Sequence, residues 1–260
     1  MRTTKQRNFA IALVCVIAVC CCAIGLGCSF ASRGGSQNGD NIAQVNVQKV
    51  AYAHDNSWAQ INDQVSLAEF LGGTNPNGYL TTSFSVNWGN VTSPHNLKAN
   101  YTLDGNGQTI TFNGEYSWST SYNHIDAGST IRYDDANMYA AGLLVALVEN
   151  GATIANLKAI NSASKVISSD DTSIGLGVIC GGNNGTILNT EVEANALLQI
   201  SPNKGPDAFK RKFNAIGAIC GANNGNIFNV EAKINELLKA EVGVFNQTGS
   251  GSVGYVGGIT

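Results

Sequence analysis

LGVICGGNNGTILNTEVEANALL at residues 176–198 and IGAICGANNGNIFNVEAKINELL at residues 216–238 are one unit written twice. The offset is 40 without a gap. Thirteen positions are identical, among them Cys180/Cys220, Asn184/Asn224, Gly185/Gly225 and Asn189/Asn229. A fainter copy, GLLVALVENGATIANLKAINSA, precedes them at 142–163, and GYVGGIT begins a fourth at 254–260. Self-similarity at a fixed period marks units that bury their apolar faces on their neighbours. Within a unit, VIC, TIL and EVEA are runs of three or four apolar or alternating residues, parted by Asn-Asn-Gly and by a single Asn. Such runs are too short for helices and suit strands joined by tight turns, where Asn and Gly accept left-handed backbone. No unit holds ten residues of helical periodicity, which excludes leucine-rich and helical repeats. Three short strands per unit, each pairing with its counterpart one coil away at about 4.8 Å, predict an all-β parallel β-helix. Asn184 is then expected to stack near Asn224 and Asn189 near Asn229, as amide ladders.

Working outward, LLQISPNKGPDAFKRKF at 197–213 and LLKAEVGVFNQTGSGS at 237–252 read as loops protruding between coils. Ser66–Glu69 reads as a capping box with Gly72 as the stop, giving a short helix over the open end of the stack. LTTSFSVNW, around residue 84, reads as a strand. The unit begun at 254 stops at Thr260, so a longer protein, or a partner over the open edge, is expected.

Composition agrees with many tight turns. The 260 residues hold 30 Gly and 31 Asn but only 4 Pro, and 13% are charged. That charge content disfavours coiled coils and basic nucleic-acid binders, and 43% apolar residues exclude general disorder. Arg2, Lys5 and Arg7 precede an uncharged apolar run from Phe9 to Leu26. This is an export signal cut after Ala31 or a retained N-terminal anchor, and a lipidated Cys28 is a third reading. Each places the remainder outside the cytoplasm. We divide the chain into the leader (1–31), a polar linker (32–49), a cap with first coils (50–141) and repeat coils (142–260). Loss of the leader takes the net charge from −3 to −6 and removes five of the seven cysteines.

The G-x-I-C-G-x-N-N-G-x-I-x-N units resemble the GLUG-type repeats of bacterial surface proteins. The stretches WAQINDQVSLAEFL at 58–71 and YTLDGNGQTI at 101–110 are similar to the opening helix and early coil of such domains. The resemblance covers about residues 50–260 and implies a pectin-lyase-like, right-handed β-helix of about four to five coils. It also implies adhesion or structural display at the cell surface. Two alternatives stay open: a polysaccharide lyase or glycoside hydrolase on the same fold, and the recruiting region of a larger secreted protease.

No catalytic centre stands out, and no cofactor or metal is expected. Asp104-Gly-Asn-Gly107 has too few oxygen ligands for a calcium loop and reads as a turn. The acid pairs Asp134–Asp135 and Asp170–Asp171 read as loop carboxylates, with Arg132 the nearest cation. Glu191 and Glu231 recur with the repeat and read as outward strand residues. His54, His95 and His124 form no ligand pattern. Cys180 and Cys220 read as stacked buried thiols, with a cross-coil disulfide as the minor alternative. Tyr116, Trp118 and Tyr122 alternate with serines, as a strand with an aromatic face; the rings read as a cover for the end of the β-helix, and as candidate ligand contacts for carbohydrate in the alternative. The other partner considered is a host or cell-surface protein. Lys210-Arg211-Lys212 reads as a solvated loop patch, with contact to an acidic polymer as the minor alternative.

Overall fold

Asn156, Asn189 and Asn229 all lie in the left-handed region, with φ of 52°, 49° and 49°. Asn occupies this conformation more readily than other side-chain-bearing residues, so it supplies a bend where a strand must change direction. In the computed structural model each bend falls at the same place. Thr153–Ala155 and Lys158–Asn161 flank Asn156, and the long strands Thr186–Ala194 and Asn226–Ile234 bend at Asn189 and Asn229. The structure describes residues 50–88, 95–119, 130–133, 136–169, 173–202, 213–240 and 253–257. All but Val50 fall in the unit Ala51–Thr260.

The fold is mostly β, and its strands pair almost entirely in parallel. Each unit contributes to four sheets. In the sheet that holds the bends, Thr102–Asp104, Thr153–Ala155, Thr186–Ala194 and Asn226–Ile234 follow one another. A second runs Tyr116–Ser119, Lys165–Ser169, Leu198–Pro202, Leu238–Ala240. A third contains Ala136–Gly142, Ser173–Gly177, Phe213–Gly217 and Val253–Gly257. The fourth contains Val145–Val148, Cys180–Asn183 and Cys220–Asn223. One antiparallel pair, Thr130–Tyr133 on Ala136–Gly142, stands apart from the repeat.

The spacing between paired residues changes while the pairing does not. Thr186 pairs with Asn226 at the 40-residue period, but Thr153 pairs with Thr186 over 33 residues and Thr102 with Thr153 over 51. The faint copy at 142–163 is faint because its turn, Glu149 to Ala152, is longer than that at Asn184-Gly185. Its strands still pair in the same register.

Three boundaries differ from the sequence reading. A unit has four strands, not three, because TIL and EVEA form one strand, Thr186–Ala194, bent at Asn189. Within the loops expected at 197–213 and 237–252, Leu198–Pro202 and Leu238–Ala240 are strands, held by pairing to Lys165–Ser169 and to each other. Of LTTSFSVNW, Phe84–Val86 forms the strand, paired to Thr109–Phe112.

The helix α1, Gln64–Gly72, also starts earlier than expected. Asp63, not Ser66, is the N-cap: its carboxylate accepts from the Ser66 N–H at 2.7 Å, while Ser66 Oγ accepts from the Asp63 N–H at 3.1 Å. Ser66 is therefore the reciprocal partner three residues into the helix. The helix ends at Gly73, one residue beyond the expected stop, where Lys98 Nζ donates to the carbonyls of Gly72 and Gly73 at 3.1 and 2.6 Å. Leu67, Phe70 and Leu71 carry the apolar side of α1 into a core shared with Ile61, Leu80, Leu103, Ile154, Ile187 and Leu198.

Close packing between sheets explains the Gly after each cysteine. A Cβ on Gly181 would collide with the Ala141 backbone nitrogen, and one on Gly221 with that of Leu176. Only a residue without a side chain lets these backbones approach.

Candidate functional site

The repeat positions chosen from sequence come together across coils. Cys180 and Cys220 are paired in register, fully buried and not joined by a disulfide. Burial, and then hydrogen bonding to Cys220, raises the Cys180 thiol well above its ordinary range, so it carries no thiolate reactivity at neutral pH. Asn224 Nδ2 donates to Asn184 Oδ1 at 3.4 Å, and Asn229 Nδ2 to Asn189 Oδ1 at 2.8 Å. Two further rows were not singled out from sequence. Asn183 Nδ2 donates to Asn223 Oδ1 at 2.8 Å, and Asn235 Nδ2 to Asn195 Oδ1 at 2.6 Å. Gly185 and Gly225 donate their N–H groups to Asn183 Oδ1 and Asn223 Oδ1 at 3.1 and 3.2 Å, closing each turn on the row.

The Asn229–Asn189 row continues toward the N-terminus. Asn189 Nδ2 donates to Asn156 Oδ1 at 3.2 Å, and Asn156 Nδ2 donates to Asp104 Oδ1 at 2.8 Å. Asp104 is 2% exposed, so its charge needs donors on every side. It has three: Asn156 Nδ2, the Asn106 N–H at 3.0 Å, and His54 Nε2 at 2.7 Å from Oδ2. A row in which every amide donates one way must end on a group that only accepts, and a carboxylate meets that need. Asp104 is thus the buried terminus of the row, at the start of a DGNG turn whose Asn106 and Gly107 are exposed.

Aromatic rings surround this pair. The His54 ring stacks on Tyr79 at 4.0 Å between centroids and 9° between planes, with Trp58 edge-on at 4.9 Å. Tyr52 lies 5.6 Å from Trp58. Burial, and then the charge on Asp104, holds the Tyr52 phenol in its protonated form above its usual range. Among the described residues, the His54–Asp104 pair has no hydroxyl or thiol hydrogen-bonded to it through His54. It fastens the segment before Trp58 to the coil that carries Asp104.

On the outward side of the bent strands, Lys158, Glu191, Glu193, Glu231 and Lys233 form a comb. Lys158 Nζ lies 2.6 Å from Glu193 and 3.3 Å from Glu191; Lys233 Nζ lies 2.6 Å from Glu191 and 3.6 Å from Glu231. Lys233 and then Lys158 hold Glu191 below the usual carboxylate range; Lys158 does the same for Glu193. These carboxylates are charge-paired, which leaves neither protonated near neutral pH as a general acid. Lys165 is a buried cation missed from sequence. Loss of hydration pushes its amine down to about 8, against an opposing pull from Glu115.

The aromatic strand is placed in part. Tyr116–Ser119 pairs in parallel with Lys165–Ser169, setting Tyr116 opposite Lys165 and Trp118 opposite Ile167. The side chains of Tyr116 and Trp118, and all of Tyr122, lie outside the described residues. So do the leader and linker to residue 49, His124, Asp134–Asp135, Asp170–Asp171, Lys210-Arg211-Lys212 and the side chain of Arg132. Among the described residues, no three His, Cys, Asp or Glu side chains cluster as a metal site. No helix there is long and apolar enough to cross a membrane.

The last described repeat presents a different surface. Asn226–Ile234 pairs with Thr186–Ala194 on one side, and no described strand pairs with it on the other. Phe228, Ile234 and Leu237 are 59%, 43% and 57% exposed there. No family model, curated protein or solved structure matches this chain in the comparisons with known proteins.

Proposed function

We propose that the chain is an exported, right-handed parallel β-helix that serves adhesion or structural display at a cell surface. The observation that carries this reading is the constancy of strand register across coils of different length. A scaffold that keeps its pairing while its connections vary in length suits the presentation of loops to a carbohydrate or protein partner. The asparagine rows add rigidity by satisfying side-chain amides along the stack. The resemblance of the G-x-I-C-G-x-N-N-G units to GLUG-type repeats and the basic, then apolar, start of the chain support the surface address. The pairing of Glu191, Glu193 and Glu231 with lysines favours binding over hydrolysis.

The test is incubation of the exported chain with pectin, alginate and glycosaminoglycans, with binding and product read together. Saturable binding without product supports display. New reducing ends or an unsaturated-product absorbance would establish an enzyme instead. Cell fractionation tests the address, and recovery of the chain in the cytoplasm would overturn it.

A further inference from the structure

Translation along the stack makes the open edge legible. The 176–198 unit offers a surface that the 216–238 unit fills, and the two units match at thirteen positions. The surface that the 216–238 unit offers on its far side is therefore a near copy of one whose occupant is known. We propose that the edge Asn226–Ile234 takes up, in parallel, an extended polypeptide segment carrying the repeat's own pattern, N-N-G-x-I-x-N-x-E.

Three observations fit that occupant. First, the side-chain rows stop on solvent-exposed amides. Asn229 and Asn235 donate Nδ2 back to Asn189 and Asn195, and no described group donates to their Oδ1 atoms. An incoming strand with Asn at the same two positions supplies those donors. The row that donates in the opposite sense ends on Asn223, whose Oδ1 accepts from Asn183 and the Gly225 N–H. Second, Phe228, Ile234 and Leu237 stand exposed where their counterparts Leu188, Ala194 and Leu197 are half-buried or buried under the next rung. Third, one of the four sheets already carries its next strand: Val253–Gly257 lies on Phe213–Gly217 at the 40-residue offset. The register for a further rung is thus set. A folded second copy fits less well. The first strands of the bent sheet, Ala59–Ile61 and Phe84–Val86, read AQI and FSV and bring no asparagine to meet Asn229. Edge strands recognise extended segments through main-chain hydrogen bonds, with side-chain positions giving specificity.

The experiment uses the full chain and a fluorescein-labelled synthetic peptide of residues 223–240, NNGNIFNVEAKINELLKA, followed by anisotropy. Saturable binding is expected, together with hydrogen-exchange protection confined to 226–234. A peptide with Ala at its counterparts of Asn229 and Asn235 is expected to bind about tenfold weaker or worse. Phe228→Lys with Ile234→Lys in the chain is expected to abolish uptake while leaving the fold intact, since both side chains are exposed. Equal binding of a scrambled peptide, or no binding of the native one to a folded chain, overturns the proposal. So does a concentration-dependent dimer that the lysine variant dissolves and the peptide does not displace, because the occupant is then a second copy.

Discussion

The side-chain amide of Asn156 donates to the buried carboxylate of Asp104 at 2.8 Å, across 52 residues of sequence. Oδ1 also takes the Asn106 N–H, whereas Oδ2, among the described residues, takes His54. Asp104→Ala removes the acceptor that three donors share, and we expect it to lose about 2–3 kcal/mol in urea denaturation. Asp104→Asn keeps Oδ1 for two of them and turns an NH2 toward His54, whose neutral ring can accept. Its expected loss is about 1 kcal/mol or less. Equal losses in the two variants would mean that the charge matters and not the accepting geometry.

Two glycines should behave in opposite ways. Gly181→Ala drives a methyl group into the Ala141 backbone, and we expect loss of at least about 3 kcal/mol or failure to fold. At Gly72, in the last turn of α1, an added Cβ would make only an ordinary contact with His95 at 3.6 Å. Gly72→Ala is expected to be neutral or to stabilise by up to about 1 kcal/mol. Thermal melts of both variants check this, and tolerance of alanine at 181 would contradict the close approach of the sheets.

The stacked thiols make a prediction for chemical labelling. Cys180 and Cys220 are fully buried thiols, not joined by a disulfide. Native protein lacking the leader should be inert to a disulfide reagent and release two thiols per chain once denatured. Cys180→Ser sets a hydroxyl in an apolar site and should cost about 1–2 kcal/mol, and Cys180→Ala less than that. Rapid labelling of the native chain would place the cysteines in solvent.

Lys165 gives a pH dependence whose sign is fixed by its surroundings. Its amine titrates at about 8 in the folded chain, against about 10.4 when unfolded. Below both values the folded state holds a poorly hydrated ammonium. Between them the unfolded state binds more protons, so this group's contribution to stability rises with pH. Lys165→Met should therefore raise stability at about pH 7, by roughly 1 kcal/mol once partial screening by water is allowed for. It should also flatten the rise toward pH 9.5. Urea midpoints of both proteins at the two pH values decide it. A variant less stable at pH 7 would show that the lysine is a net stabiliser.

The repeat was legible because in-register pairing asks for like residues at like positions, as with Cys180 on Cys220 and Ile187 on Ile227. Adjacent asparagines were less so. Asn183-Asn184-Gly185 says that a row forms but not which amide turns inward, and the shorter contact belongs to Asn183. The helix start was misread because Asp63 and Ser66 each fit a capping pattern, and hydrogen bonds alone show which is the cap. Leu198–Pro202 looked like a loop because its order comes from a neighbouring coil. The Asp104 site was beyond local reading altogether. It joins His54, Tyr79, Asp104 and Asn156, which meet only after two coils have closed.

Pairing offsets of 51, 33 and 40 residues along one sheet have a consequence for growth of the molecule. Each added rung advances the stack by about 4.8 Å, however many residues its connections contain. The chain is thus graduated like a ruler whose divisions are set by hydrogen bonds and not by sequence length. Insertions between divisions lengthen a connection without moving the marks, so connection length and stack length vary independently.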